Sequence, residues 1–318
     1  MKYKIFLLFI IFLINVNAQE KLKVGVLAYG TVNWELDTLK YYKLDKKNGF
    51  DLEVVKLASK NATSIALQAK EVDIIVTDWL WVNTQRANGK NFTLYPYSRS
   101  NGTILVPKNS KAKTFLDLYG KKLGVAGGPV DKTWLILRAY SKQKYGKDLA
   151  DLVKPTFSSP PIIYKNFLDS RVDSAINFWH FNAKLKAKGA KELVSIKDVL
   201  SELGVKKDIV FIGWTIDRKK AMQKPELFNS FIKASHEAKD VLLNSDNAWD
   251  RLRTGMKAKD DKVYESLKAG YRAGVIKKFD KENIKELKKV YNILLKEGGK
   301  KLVGASTTLD KKTFWEYK

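Results

Sequence analysis

Two carboxylates in this sequence stand next to tryptophans, close to the ends of apolar runs. Asp78 follows the run Val72–Val76 and directly precedes Trp79, and Glu35 directly follows Trp34. A carboxylate between indole rings can accept hydrogen bonds from an amine or an amino-heterocycle, while the rings bury a flat ligand. Asp78 could equally serve as the N-cap of a helix that begins at Trp79.

A glycine pair supplies a second feature with binding chemistry, in the segment AGGPVDKTW at 126–134. Gly127 and Gly128 follow an apolar run, and Pro129 is expected to open a helix. Backbone N–H groups at the positive end of a helix can hold an anionic or carbonyl group. The same glycines could instead serve only a tight turn with positive φ. Neither GxxxxGK[ST] nor GxGxxG occurs, so the segment is not a nucleotide loop.

Residues for catalysis do not come together in this sequence. His180 and His236 are the only histidines, and the chain has no cysteine. One histidine beside a tryptophan, without a cysteine or a recognisable serine elbow, makes no catalytic triad. Neither HExxH nor an EF-hand loop is present. We therefore predict a binding protein rather than an enzyme, with no cofactor and with no catalytic or metal-ligating residue.

Short β-branched runs alternate with helical segments as far as Ile216, and only helices follow. Strands separated by helices predict an α/β fold with a mostly parallel sheet. The predicted strands are Leu22–Leu27, Phe50–Leu57, Val72–Val76, Leu94–Tyr97, Thr103–Val106, Lys122–Ala126, Val172–Ile176 and Val210–Ile216. The predicted helices include Glu35–Tyr42, Ala62–Lys70, Pro225–Leu243, Asp246–Met256, Asp261–Ala273 and Lys281–Glu297.

This order of elements favours two lobes of one clamshell over two consecutive domains split near Gly146. The middle block, roughly 102–207, has its own strands and helices, and strand character returns after it. Two segments would then cross between the lobes, near Ser100–Val106 and near Lys207–Trp214. In this two-lobe arrangement, the predicted helices after Ile216 can pack on the first lobe. The predicted domains are a leader at 1–18, a first lobe of 19–101 plus 213–318, and a second lobe of 102–212.

Most of the tryptophans lie near predicted strand ends or crossing segments. These are Trp34, Trp79, Trp81, Trp134, Trp179 and Trp214. In open α/β sheets, ligands bind outside the carboxyl ends of the strands. Any one of these rings could simply pack against a sheet, but the set favours the walls of a single cleft. Rigid aromatic walls suit a small flat or methyl-rich ligand.

The chain is strongly basic, with 59 Lys and Arg against 34 Asp and Glu, a formal charge of +25. Such a charge invites comparison with nucleic-acid binders, which cluster cations and exposed aromatics on one face. Here the lysines are spread along predicted amphipathic helices, in pairs such as Lys288 and Lys289, which is typical of solvated faces. We therefore predict no nucleic-acid partner.

The first eighteen residues, MKYKIFLLFIIFLINVNA, have the layout of a secretory signal peptide. Two lysines precede the apolar run Ile5–Ile14. The small residues Val16 and Ala18 occupy the −3 and −1 positions of a cleavage site before Gln19. The run is shorter than the roughly 20 residues that span a bilayer as a helix. A chain without cysteine is not a lipid-anchored lipoprotein. We predict a cleaved leader and an exported, periplasmic protein.

Several motifs resemble a known family when they are taken in order. They include KLKVGVLAYGTVNWE at the first strand, EVDIIVTDW at 71–79, SNGTILVPKNS followed by LYGKKLGV and AGGP, and DSRVDSA at 169–175. The chain resembles periplasmic solute-binding proteins of the nitrate/sulfonate/taurine ABC transporter class, which includes binders of thiamine-pyrimidine precursors. The resemblance covers most of residues 20–245. It implies a type II periplasmic-binding-protein clamshell that closes on a small solute and delivers it to an ABC permease and ATPase at the inner membrane. We expect a monomer.

The resemblance also implies a set of ligand-facing positions in this sequence. They are Asn33, Trp34, Asp78, Trp79, Asn101, Gly127, Gly128, Trp134, Asn177, Trp179 and Trp214. Aromatics and a carboxylate dominate this set, which favours a small planar or amine-bearing solute such as a pyrimidine-type vitamin precursor. One alternative is a taurine or alkanesulfonate anion. Another, of a different class, is an exported enzyme related to the pyrimidine-precursor synthases, which share the fold but use a Cys-rich motif.

Overall fold

Two five-stranded sheets organise the chain in the computed structural model, which describes residues 19–99, 102–258, 260–276 and 278–317. The predicted leader 1–18 and the predicted site residue Asn101 lie outside these ranges. The strands are β1 (Glu20–Leu27), β2 (Phe50–Leu57), β3 (Ile74–Asp78), β4 (Phe92–Arg99), β5 (Thr103–Val106), β6 (Lys122–Ala126), β7 (Lys154–Ser158), β8 (Ser174–Ile176), β9 (Lys191–Ser195) and β10 (Val210–Asp217).

Helices connect the strands and then form the last third of the chain. The helices are α1 (Val32–Tyr41), α2 (Leu44–Lys47), α3 (Lys60–Gln68), α4 (Trp79–Ala87), α5 (Lys132–Tyr145), α6 (Leu149–Leu152), α7 (Pro160–Leu168), α8 (Trp179–Ala187), α9 (Ile196–Glu202), α10 (Arg218–Gln223), α11 (Pro225–Asn244), α12 (Asp246–Met256), α13 (Asp261–Gly274) and α14 (Lys281–Val303). Within the described residues, no helix combines the length and the apolar content needed to cross a membrane.

The two sheets have the same plan. The first has the order β2-β1-β3-β10-β4 and the second has the order β7-β6-β8-β5-β9. In the first sheet, β1 is parallel to β2 and β3, whereas β10 is antiparallel to both of its neighbours. In the second, β6 is parallel to β7 and β8, and β5 is antiparallel to β8 and β9. Each sheet therefore has one reversed strand, at the position where the chain has just crossed from the other lobe.

This topology confirms the predicted α/β fold with two lobes and two crossing segments. The chain leaves the first sheet after β4 and returns to it at β10. The second sheet takes strands from both sides of Gly146, so a division into consecutive domains at that residue would cut it in two. The lobe boundaries given above stay a prediction.

Two strands of the second sheet have no counterpart in the sequence prediction. β7, with the sequence KPTFS, and β9, with the sequence KELVS, are the two edge strands of that sheet and are mostly exposed or half-buried. An edge strand buries little surface and tolerates proline and lysine. Neither segment therefore shows the apolar run by which the buried strands were recognised.

The largest apolar core continues from one lobe to the other. It includes Trp79 of α4, Leu135 of α5 and Tyr291 of α14, all buried. Helix α14 packs on α5 of the second lobe and on α4 of the first. Beside this core, the Arg99 side chain at the end of β4 donates to Asp208, just before β10, at 2.5 Å. The crossing segments are thus tied to each other next to an uninterrupted apolar core.

Strand β10 passes its neighbour β4 unusually closely at Gly213. The register of this pair is irregular on either side of Ile212. A Cβ at Gly213 would lie 2.3 Å from the carbonyl oxygen of Tyr95 and 2.4 Å from Cδ2 of Leu94. Since the first of these atoms belongs to the backbone of the partner strand, a side chain at this position would have to push the strands apart.

We predict that Gly213→Ala lowers the free energy of unfolding by about 2 kcal/mol or more, because overpacking here displaces backbone rather than a side chain. Gly255→Ala in α12 is the matched control, since nothing lies within 4 Å of a Cβ at Gly255. In a helix interior, that change should be neutral or stabilising by up to about 1 kcal/mol. Chemical unfolding measures both, and equal stability of the two variants would contradict the argument.

Candidate ligand-binding cleft

A cleft opens between the two lobes, where strands of both sheets end. Thr31 lies after β1, the segment Tyr97–Arg99 ends β4, and Trp179 follows β8 of the second sheet. Helices α11 and α13 complete the wall. The lining residues are Thr31, Tyr97, Ser98, Arg99, Trp179, Lys239, Gly270, Tyr271, Gly274 and Val275. This is the edge at which open α/β sheets bind their ligands.

Aromatic rings from both lobes meet at this cleft. The ring of Trp34, at the start of α1, lies edge-to-face with Trp179 from the second lobe, with 6.1 Å between the ring centroids. Behind it, Trp34 contacts Trp249 at 5.9 Å and Tyr271 at 6.2 Å. Edge-to-face pairs at these distances are favourable beyond the area they bury. Of the predicted site residues, Trp179 lines the cleft and Trp34 supports it from behind.

Glu35 is completely buried and its carboxylate already has protein partners. It accepts hydrogen bonds from Ser235 at 2.5 Å, from the Lys239 ammonium at 2.8 Å and from the Tyr271 hydroxyl at 3.0 Å. The indole N–H of Trp214 in turn donates to the Ser235 hydroxyl at 3.0 Å. Glu35 therefore holds four elements of the first lobe together, α1, α11, α13 and β10. It is not free to receive an amine from a solute.

Burial shifts the pKa of the ionisable groups around Glu35. It lowers the pKa of the Lys239 ammonium, and the negative charge of Glu35 opposes that shift. Burial, together with the same charge, raises the pKa of the Tyr271 hydroxyl well above its ordinary value. Tyr97, whose ring lies 4.4 Å from the Lys239 nitrogen, shows the same upward shift of its pKa for the same two leading reasons. The two tyrosines are therefore neutral hydrogen-bond donors in the wall of the cleft.

Asp78 performs the capping function that its sequence position allowed. One oxygen accepts from the backbone N–H of Trp81 at 2.9 Å, which caps α4. The other lies 2.5 Å from the Lys60 ammonium and 3.5 Å from that of Lys132 in the second lobe. Burial alone would raise the pKa of this carboxyl, but the charges of Lys132 and Lys60 outweigh burial and hold the pKa well below its usual range. The buried carboxylate is thus ionised and neutralised by lysines of both lobes.

The glycine turn after β6 matches one of its two predicted alternatives, the tight turn with positive φ. Gly127 has a φ of +115°, so the turn requires its conformational freedom, and its N–H donates to the Ser158 carbonyl at 2.8 Å. Pro129 lies in the turn and does not open the helix, because α5 begins only at Lys132. Asp131 caps α5 by accepting from the backbone N–H of Trp134 at 3.1 Å. The prediction that Pro129 opens the helix was wrong, since Asp131 provides a stronger N-terminal signal.

The predicted asparagines form local turns. Asn33 donates to the carbonyls of Leu27 and Gly30 at 3.0 and 3.2 Å, which fixes the connection from β1 to α1. Asn177 donates to the Pro160 carbonyl at 3.0 Å and accepts from the N–H of Phe178 at 2.8 Å. Asn177 is buried, so in this structure its amide positions the start of α8, the helix that carries Trp179.

Three predicted tryptophans lie in the cores of the lobes and do not line the cleft. Trp79, Trp134 and Trp214 are 0%, 2% and 0% exposed. The indole of Trp79 donates to the Val210 carbonyl at 2.7 Å, and Trp134 packs edge-to-face on Phe157. Apolar rings close to strand ends are consistent with a core or with a cleft, and only the packing of the helices separates the two.

The sequence prediction did not include most of the residues that line the cleft. Tyr97 ends a predicted strand, which was a usable signal, but Lys239, Gly270 and Tyr271 come from helices far along the chain. Lys60 and Lys132, the partners of Asp78, were also missed. Among the described residues, no group of three or more His, Cys, Asp and Glu side chains could hold a metal ion.

Known structures share this two-lobed architecture. The periplasmic aliphatic sulphonate binding protein SsuA from Escherichia coli superimposes with a TM-score of 0.73 at 19% identity, over 92% of this chain and 97% of that one. The alkanesulfonate-binding protein SsuA from Xanthomonas axonopodis pv. citri, bound to MOPS, gives 0.69 at 18% identity, over 93% and 98%. A mutant of DSZB in complex with biphenyl-2-sulfinic acid gives 0.61 at 14% identity, over 88% and 93%. The fold is therefore that of the type II periplasmic binding proteins.

The sequence itself matches one family. The model of the family described as NMT1/THI5 like matches residues 38–248, well over half of the chain. This chain therefore belongs to the NMT1/THI5-like family. No curated protein matches it.

We predict that Glu35→Gln lowers the free energy of unfolding by about 3–5 kcal/mol, because it leaves the Lys239 ammonium buried without a counter-charge. Glu53→Gln is the matched control, since Glu53 pairs with Lys21 at the surface and such pairs contribute about 1 kcal/mol or less. The double variant Glu35→Gln/Lys239→Met should recover part of the loss. Thermal unfolding measures all three, and a Glu35→Gln protein as stable as the Glu53→Gln protein would refute a structural ion pair.

His180 provides a pH-dependent prediction at the start of α8. Burial, with a smaller effect of the Lys184 charge, lowers the pKa of the imidazole to about 4. Between the unfolded pKa of about 6.5 and this value, the unfolded chain binds more protons, so stability must fall as the pH decreases through that interval. We predict that His180→Gln flattens this decline. Comparing Tm from pH 7 to pH 4.5 in both proteins checks it, and parallel curves would show that His180 does not contribute.

Proposed function

We propose that this chain is the extracytoplasmic solute-binding component of an ABC importer. It captures a small solute in the cleft between its lobes and passes it to a membrane permease and its ATPase, without catalysing a reaction. The observation that carries the proposal is the cleft itself, which lies at the ends of the strands and has aromatic rings from both lobes and hydrogen-bonding groups from the first lobe. Solved proteins of the same fold, under 20% identical, are named as sulfonate binders or parts of ABC transporters. The proposal includes that the protein is exported to the periplasm, that its leader is removed and that it is a monomer.

The shape of the cleft favours a small planar solute. Trp179 and Tyr271 line it, with Trp34 behind them, and aromatic surfaces gain most from a flat partner. The amine-bearing form of this solute loses support, because both carboxylates near the cleft, Glu35 and Asp78, are bound by lysines. We therefore propose a planar solute whose polar edge accepts hydrogen bonds.

A specific observation also favours the second candidate, a taurine or alkanesulfonate anion. The described residues that line the cleft carry hydroxyl groups such as those of Thr31 and Ser98 and two cations, Arg99 and Lys239, each of which is already paired with a carboxylate, Asp208 and Glu35 respectively. The Arg99 Nε is buried and makes no hydrogen bond within the described structure. A lining of donors suits an anionic or carbonyl group, since each donor can meet an oxygen lone pair.

A thermal-shift and calorimetric screen tests the proposal and separates the candidates. The probes are 4-aminopyrimidine, whose ring nitrogens accept hydrogen bonds, for the planar solute, and taurine and ethanesulfonate for the anions. A true solute at 100 times its Kd should stabilise the protein by about 2.7 kcal/mol. If no solute in this and broader screens raises Tm, and native mass spectrometry of freshly purified protein shows no bound molecule, solute capture is refuted.

The aromatic wall can be tested with the solute that binds. We predict that Trp179→Ala weakens Kd at least tenfold, or about 1.4 kcal/mol, because it removes the ring contributed by the second lobe. Tyr41→Ala is the matched control, as Tyr41 is an exposed ring near the far end of α1. An unchanged Kd for Trp179→Ala would place the solute elsewhere. Intact-mass analysis addresses the alternative of an enzyme, which would carry a covalent cofactor or product.

A further inference from the structure

Helix α8 of the second lobe packs against α13 of the first, at one side of the cleft. The hydroxyl of Ser266 on α13 donates to the Ala183 carbonyl on α8 at 2.8 Å. One turn further along α13, the indole of Trp179 lies directly on Gly270. A Cβ at Gly270 would stand 2.9 Å from Cζ3 and 3.1 Å from Cε3 of that indole, so the ring occupies the volume of a side chain.

No backbone requirement explains a glycine at this position. Gly270 lies inside α13 and is not among the glycines with positive φ. Inside a helix, glycine costs about 1 kcal/mol relative to alanine. The contact with Trp179 does explain it, because real Cβ atoms do not approach a rigid ring at 2.9 Å and the ring cannot turn aside without losing its packing on Trp34.

The contact joins the lobes and not two parts of one lobe. Trp179 follows β8 in the second sheet. Helix α13 is fixed to the first lobe by the Tyr271 hydroxyl, which donates to the buried Glu35. A second contact between the lobes is the ion pair of Lys132 with Asp78. The lobes therefore meet at an apolar contact on glycine and at an ionic contact.

We infer that the indole of Trp179 packs on Gly270 when the lobes close, and that the absence of a side chain at residue 270 determines how closely the two lobes approach. This inference rests on the proposed function, and it assigns Gly270 as a positioning residue that determines affinity without donating to the solute. A methyl group at residue 270 holds Trp179, and with it the second lobe, away from α13. The cleft then closes incompletely on a small solute.

Distance measurements between the lobes test this without any solute. Because the chain has no cysteine, the exposed Ile65 on α3 and Ile162 on α7 can be changed to cysteine and spin-labelled as the only two thiols. Pulsed electron spectroscopy then gives the distribution of interlobe distances in the full chain. Gly270→Ala should shift the distribution to longer distances, while Gly255→Ala, in an open helical position, should leave it unchanged. A Gly270→Ala distribution identical to that of the parent would overturn the inference.

A second variant covers the case in which Gly270→Ala does not fold. Trp179→Ala removes the ring that a methyl group at residue 270 would displace, so the double variant Trp179→Ala/Gly270→Ala is free of that clash. Its interlobe distance should equal that of Trp179→Ala alone, as expected when two changes act through one contact, and a longer distance in the double variant would again overturn the inference. Solute binding with unchanged distances refutes only this inference, whereas failure of every solute with lengthened distances refutes the proposed function and leaves only the effect of Gly270 on the approach of the lobes.

Discussion

The buried carboxylate of Glu35 is the constraint on which the first lobe depends. An isolated charge in a protein core is very unfavourable, so it must be paired and hydrogen-bonded. Glu35 meets this requirement with Lys239, Ser235 and Tyr271, which come from α11 and α13. Because those helices lie some two hundred residues further along the chain, one side chain sets where the helical C-terminal part sits against the first sheet. The wall of the cleft follows from that placement.

The contacts between the lobes differ on the two sides of the molecule. Where the crossing segments run, an apolar core continues through α14 from one lobe to the other, and Arg99 is bonded to Asp208. On the side of the cleft, α8 packs along α13, with Trp179 on Gly270 and Ser266 donating to the Ala183 carbonyl, and Lys132 forms an ion pair with Asp78. The two sides therefore differ in kind, because a continuous apolar core joins the lobes at the crossings, whereas one pair of packed helices and one ion pair join them at the cleft.

Particular elements show why sequence prediction succeeded in some places and failed in others. Buried strands such as β3 carry continuous apolar runs because both faces are covered, and they were found within a few residues. The edge strands β7 and β9 carry no such signal. Asp78 and Glu35 were recognised as carboxylates near indoles, but their lysine partners lie elsewhere in the chain. Whether a carboxylate is available to a solute depends on those partners, and no local pattern reports them.

The amino-acid sequence by itself determined the alternation of strands and helices, the two crossings between lobes, the absence of thiol chemistry and the family. These follow from periodicity, composition and short motifs, which are local properties of the chain. Only the tertiary structure decided which tryptophans face the cleft, since Trp79, Trp134 and Trp214 are buried in cores whereas Trp179 is not. It also decided that hydrogen-bond donors line the cleft and that the indole of Trp179 packs on Gly270. Each of these depends on helices packed across long sequence separations, where the geometry of the whole fold determines which side chains meet.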